Sequence, residues 1–122
     1  CSNGIMKYFE YEEFDSPDIQ GSGQLMNKEL LSKLDMIREA YGKPIHINSG
    51  YRTEAHNEKV GGVSSSSHLK GLAVDISCKS SRDRFELVDL FIKHDINRIG
   101  IASSFIHIDI DKDKSANVIW TY

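Results

Sequence analysis

The chain has 122 residues, a net charge of −3, a hydrophobic share of 39% and a charged share of 27%. That is the balance of an ordinary globular protein, long enough for one domain (residues 1–122) with a core of its own. The acidic balance excludes nucleic acid as the main partner, because phosphate binding needs a basic face. No apolar run approaches the roughly 20 residues of a transmembrane helix.

Cys1 and Cys78 form neither a CxxC nor a spaced zinc cluster, which argues against thiolate ligands. A disulfide between them is left open. The chain does not start with Met, so a processed or trimmed chain is expected. Cys1-Ser2-Asn3 suits a lipid-modified mature terminus, but an incidental cysteine at a cut end is the preferred reading.

In chain order, Lys7-Tyr8-Phe9 is predicted as a short strand or edge segment. Tyr11–Phe14 reads as a helical turn that ends before Ser16-Pro17-Asp18, and Gly21-Ser22-Gly23 as a turn. Tyr8, Phe9, Tyr11 and Phe14 are expected to pack this arm onto the domain. Asn27 is a predicted N-cap for a helix whose Leu30, Leu31, Leu34, Ile37 and Tyr41 share one face, stopped at Gly42 and Pro44. Ile45 to Asn48 alternates as a short strand. Thr53 caps a short helix to Val60, and Gly61-Gly62-Val63 with the serine run reads as a mobile loop.

Leu72 to Ser77 is predicted as a strand, with Ala73 and Asp75 on one face. Ser80 or Ser81 caps a helix to about Lys93, with a stripe of Phe85, Val88 and Ile92 widened by Leu87, Leu90 and Phe91. Asp95 to Asn97 is a turn. Arg98–Ala102 and Phe105–Asp111 read as strands joined tightly through Ser103-Ser104, and Val118–Trp120 as a last strand.

Two stretches carry the chemistry. Ser49 to Asp75 is too polar and glycine-rich for a core and reads as a functional loop system. It ends with His68 and Asp75. On the later strand, period-two alternation puts His107, Asp109 and Asp111 on one face and Ile106, Ile108 and Ile110 on the other. The isoleucines must be the buried face, so the polar residues point into a cleft or solvent. Two histidines and a carboxylate are a recurrent catalytic zinc set that leaves a position open for water. His68, Asp75 and His107 fit it. An alternative trio replaces Asp75 with Asp109, which also suits a partner of His107 or a base. Arg52, after a strand and a Ser-Gly-Tyr turn, suits capture of a carboxylate. Each of these residues also has a plainer reading as a hydrogen-bonded or solvated surface group. His46, His56 and His94 read as structural or exposed.

The phrase SGYRTEAHNEKVGGVSSSSHLKGLAVDI, with the later FIHIDID, resembles the zinc D-Ala-D-Ala carboxypeptidase family, in its small single-domain bacterial and phage members. The pattern S-x-H-x-x-G-x-A-x-D is matched at Ser66, His68, Gly71, Ala73 and Asp75. The likeness runs from Tyr8-Phe9 and Phe14–Asp18, through Gly21–Gly23 and Met26, to Val118–Trp120.

The resemblance implies an α+β, hedgehog/D-Ala-D-Ala peptidase-like fold, with helices on one side of a mainly antiparallel sheet. It implies a monomeric zinc (Zn2+) metallopeptidase of peptidoglycan stem peptides, in the cell envelope or periplasm or associated with a phage. Its ligands would be His68, Asp75 and His107. Arg52 would bind the substrate carboxylate or polarise its carbonyl, and Ser66 would touch substrate or fix the loop. The sequence departs from the family at one place. The Glu of an E-x-W-H arrangement is replaced by Ser104 and the Trp by Ile106, and a histidine used in other branches is Phe105. Asp109 is the local substitute for the base. The alternative is a weak or inactive domain that binds zinc and cell-wall peptide.

Overall fold

Burying one leucine-rich stripe defines the first long helix, α1 (Lys28–Tyr41), in which Leu30, Leu31, Leu34 and Ile37 are fully buried. The Asn27 side chain caps it, accepting hydrogen bonds from the amides of Glu29 (2.9 Å) and Leu30 (3.2 Å). The computed structural model describes residues 7–62 and 66–122. The readings for Cys1 and the centre of the serine loop lie outside these residues. Cys78 is buried, with no disulfide partner among the described residues.

A short helix, α2 (Glu54–Lys59), is capped by Thr53, whose Oγ1 accepts from the His56 amide at 3.1 Å. The third helix, α3 (Ser81–Lys93), is capped by Ser80. Its buried face corrects the predicted stripe. Leu87 and Phe91, an i,i+4 pair, are buried, while Phe85 is 75% and Ile92 53% exposed. Phe85 lies about 200° round the helix from Leu87. Two apolar stripes lie on largely different faces of the helix, and packing into the core selects the one through Leu87 and Phe91.

Among the described residues, five strands form one sheet: β1 (Ile47–Ser49), β2 (Ala73–Ser77), β3 (Arg98–Ile101), β4 (Phe105–Asp109) and β5 (Val118–Thr121). Their order is β1-β2-β4-β3-β5, antiparallel except for the parallel pair β3–β5. The α+β class with a mainly antiparallel sheet is therefore present. Several predicted strand ends shift by one or two residues, β4 for example ending at Asp109 and not Asp111. β1 starts at Ile47, where pairing with Ile76 begins. Lys7-Tyr8-Phe9 is not a strand, because the amides of Lys7 and Tyr8 both donate to the Asp35 carboxylate on α1. Among the described residues no helix is long and apolar enough to cross a membrane.

Val74, Ile76, Ile99, Ile106 and Ile108 join the helix leucines, Phe9, Phe14 and Phe91 in one core. Alternation sends Asp75, His107 and Asp109 to the other face of the sheet. That face is not solvated: His107 is 9% exposed, Asp109 1% and Asp111 2%. Of the predicted isoleucine face, Ile106 and Ile108 are fully buried and Ile110 partly.

Candidate metal centre and active site

The site is assembled from the turn after β1, a single helical turn before β2, and the paired strands β2 and β4. The N-terminal arm braces the first of these. The Tyr51 amide donates to the Phe14 carbonyl at 2.8 Å. Gly50 lies so close to Phe14 that a Cβ there would fall 2.8 Å from the Phe14 Cα, so only glycine permits the approach. Asp15 gathers the amides of Gly21 and Gly23, and Asp18 accepts from Ser16 Oγ and Thr53 Oγ1. The aromatics of the arm pack as expected, with Phe9 and Phe14 in the core and Tyr8 and Tyr11 against it.

Ser66 opens the helical turn Ser67–Lys70, its Oγ accepting from the His68 amide at 3.2 Å. The His68 carbonyl accepts from the Arg52 amide, which ties the two predicted residues together through backbone. His68 is 2% exposed. Its Nδ1 is 2.7 Å from the Gly50 carbonyl, which only accepts, so Nδ1 carries the hydrogen and Nε2 keeps its lone pair. Buried Nε2 has no hydrogen-bond partner among the described residues and stands 3.3 Å from Asp75 Oδ1.

Asp75 and His107 sit opposite each other on β2 and β4. Asp75 Oδ1 is 2.8 Å from His107 Nδ1. One atom from each of His68, Asp75 and His107 lies within 4.8 Å of the others. An orphaned buried imidazole nitrogen, a carboxylate and a second imidazole converging on one point form a donor set that fits a divalent cation. Burial alone would raise the pKa of Asp75, but the hydrogen bond with His107 and the adjacent His68 imidazole outweigh it and hold the carboxyl well below the usual range. Burial pushes His107 down, and its bonds to Asp109 and Asp75 more than reverse this. A proton on His107 therefore balances the two carboxylates in the metal-free protein, and a metal at this point competes with it.

Asp109 stands behind His107, with Oδ2 2.8 Å from Nε2. Its other oxygen accepts from Arg98 Nε at 2.7 Å and from the Asp111 amide at 3.2 Å. Burial works against ionisation of Asp109, and the bonds to His107 and the Asp111 amide overcome it. Arg52 is held by Ser49 Oγ (3.3 Å) and Asn57 Oδ1 (3.1 Å), and its second terminal nitrogen is 3.7 Å from Asp75 Oδ2.

All six predicted residues, Arg52, Ser66, His68, Asp75, His107 and Asp109, line one groove of about 410 Å³. Ser104, at the position where the resemblance leads one to expect Glu, is exposed in the joint between β3 and β4. His46 is exposed, His56 is partly buried, and His94 contacts the Leu90 carbonyl. Three residues of the site went unread in the sequence: Asn57, Arg98 and Trp120. Trp120 lies 5.6 Å from His107 between ring centroids. The available signal was Gly100 inside a strand, which marks a close approach of another group.

Comparison with known proteins places the chain among peptidases. Over 49 residues the chain is 45% identical to the zinc D-Ala-D-Ala carboxypeptidase of Streptomyces albus G, a match covering 39% of this chain and 19% of that protein. The chain thus spans about a fifth of the length of that curated relative. Residues 7–109 match the family model described as Peptidase M15, a span that holds His68, Asp75, His107 and Asp109. The chain belongs to the peptidase M15 family.

Proposed function

We propose that this chain is a zinc-dependent hydrolase of peptidoglycan stem peptides, of the D-Ala-D-Ala carboxypeptidase or endopeptidase type, with His68, Asp75 and His107 as metal ligands. The observation that carries the reading is the convergence of these three side chains within 4.8 Å around a buried, unpartnered His68 Nε2. Zinc bound there supplies a Lewis acid and lowers the pKa of its water to about 7.

The remaining work falls to side chains. Arg52, braced by Ser49 and Asn57, presents a guanidinium at the groove beside the ligand set. It captures the terminal carboxylate of the peptide or polarises its carbonyl. Ser66 fixes the backbone of His68 and lines the path of the substrate. Asp109 holds Nε2–H of His107. Asp109 also lines the groove, but its oxygens are engaged by His107, Arg98 and the Asp111 amide, so in this reading it orients the ligand and does not take the proton that hydrolysis releases. The cell-wall substrate is supported by the activity named for the Streptomyces relative.

Metal analysis of protein never exposed to chelator, together with incubation in zinc with D-Ala-D-Ala-ended muropeptides, tests this. Bound zinc and release of D-Ala or a cut cross-link are expected, both lost in His68→Ala. Zinc-free protein with cleavage unchanged in His68→Ala overturns it. The exposed Ser104 at the expected Glu position favours a second reading, a zinc and cell-wall-peptide binding domain. Muropeptide binding with no product released selects that one.

A further inference from the structure

We propose that Arg98 is a positioning residue for His107, acting through Asp109 and not on the substrate. This inference rests on the assignment of His107 as a metal ligand.

The contacts form one line. Arg98 Nε donates to Asp109 Oδ1 at 2.7 Å, and Asp109 Oδ2 meets His107 Nε2 at 2.8 Å. His107 Nδ1 then faces Asp75 at 2.8 Å. Arg98 is itself fixed on two further sides. A terminal nitrogen donates to the Ser115 carbonyl, and the guanidinium lies 5.0 Å from the Trp120 ring centre. The Trp120 ring in turn lies 5.6 Å from His107. Gly100 makes this possible, since it pairs with His107 on one side and Trp120 on the other. A Cβ there would come 2.6 Å from the indole nitrogen.

The chemistry of the line follows from what a carboxylate can do. Asp109 accepts and does not donate. Arg98 and the Asp111 amide occupy Oδ1, so the carboxylate is turned with Oδ2 toward His107. Nε2 must then carry a hydrogen, and Nδ1 is the nitrogen left for a cation. Without Arg98 only the Asp111 amide, at 3.2 Å, holds Oδ1, so the carboxylate is less firmly turned toward Nε2 and selects that tautomer less strongly. An ion pair kept only for stability is a poor rival account. The Arg98 side chain is 14% and that of Asp109 1% exposed, and buried pairs of this kind are often no more stable than apolar replacements.

The test is zinc affinity of the whole chain, measured by competition with a chromophoric chelator. Variants are Arg98→Met, Asp109→Asn and the two combined. Arg98→Met is expected to weaken zinc about 10-fold or more, the usual effect of removing a partner behind a ligand. The double variant is expected to bind no more weakly than Asp109→Asn, because both changes act on one path. Nitrogen-15 NMR of the zinc-loaded protein should show His107 protonated at Nε2, and that signal should be lost or exchange-broadened in Arg98→Met. Wild-type affinity in Arg98→Met, or additive losses in the double variant, overturns the proposal and leaves the zinc reading standing. A wild-type chain that binds no zinc overturns both. Circular dichroism checks folding. If Arg98→Met does not fold, Arg98→Lys carries the test, with an expected loss of about threefold and unchanged affinity as the contrary result.

Discussion

Asp75 and His107 meet at 2.8 Å across two paired strands, so these two proposed ligand side chains are aligned by sheet register and not by a loop. His68, from a separate helical turn, closes the set. A site built on strands is held before the metal arrives. Zinc should therefore stabilise the fold by mass action, about 2.7 kcal/mol at a concentration a hundred times Kd. For a domain of this size that is a rise of roughly 10 °C in the thermal midpoint. Differential scanning calorimetry with zinc and with chelator should show it, and His68→Ala should show none.

Arg52 sits beside the proposed ligands without being one of them. Arg52→Ala should leave zinc affinity near wild type and lower kcat/KM for a D-Ala-D-Ala-ended peptide by about 10- to 100-fold, the worth of charged hydrogen bonds. Asn57→Ala should lower kcat/KM by less, because Asn57 steadies the guanidinium at 3.1 Å without itself meeting the substrate carboxylate. A fall in zinc affinity as large as the fall in kcat/KM would count against the substrate role.

Asp111 gives a pH dependence of stability. Burial opposes its ionisation, but Ser67 Oγ at 2.8 Å, the Asp113 amide and Lys70 hold its carboxyl below the ordinary range. A depressed pKa contributes stability above the unfolded value of about 3.9 and loses it as pH falls toward the folded value. Asp111→Asn should cost about 2 kcal/mol at pH 7. The gap to wild type should narrow below about pH 4, as read from urea unfolding at pH 7 and pH 3. A constant gap would refute the charge-based account.

Trp120 is the single tryptophan of the chain, which makes its environment readable by fluorescence. Gly100→Ala should push the indole off the sheet, red-shift its emission and destabilise the fold by about 1–3 kcal/mol. An unchanged spectrum would mean that the ring does not depend on the glycine.

Much of the candidate site was legible because its information is local. Alternation along Phe105–Asp109 separates the isoleucines from His107 and Asp109, and capping residues mark Asn27, Thr53 and Ser80. What was not legible depends on partners remote in sequence. The exposure of Phe85 and Ile92 is decided by which helix face meets the sheet. The pairing of Arg98 with Asp109 is decided by the register of β3 on β4. The arm was read as packing alone because nothing in Phe14 announces that its carbonyl and Cα will support Tyr51 and Gly50.

That last contact has a consequence for how the protein opens. Gly50 rests on Phe14 and its carbonyl holds His68 Nδ1. Undocking of the arm therefore frees the His68 ring, and on the proposed reading loss of that ring's orientation would loosen the metal. Metal release and arm release would then be one cooperative opening. Hydrogen exchange at the Tyr51 amide should slow in proportion to bound zinc, although this amide belongs to none of the three ligands.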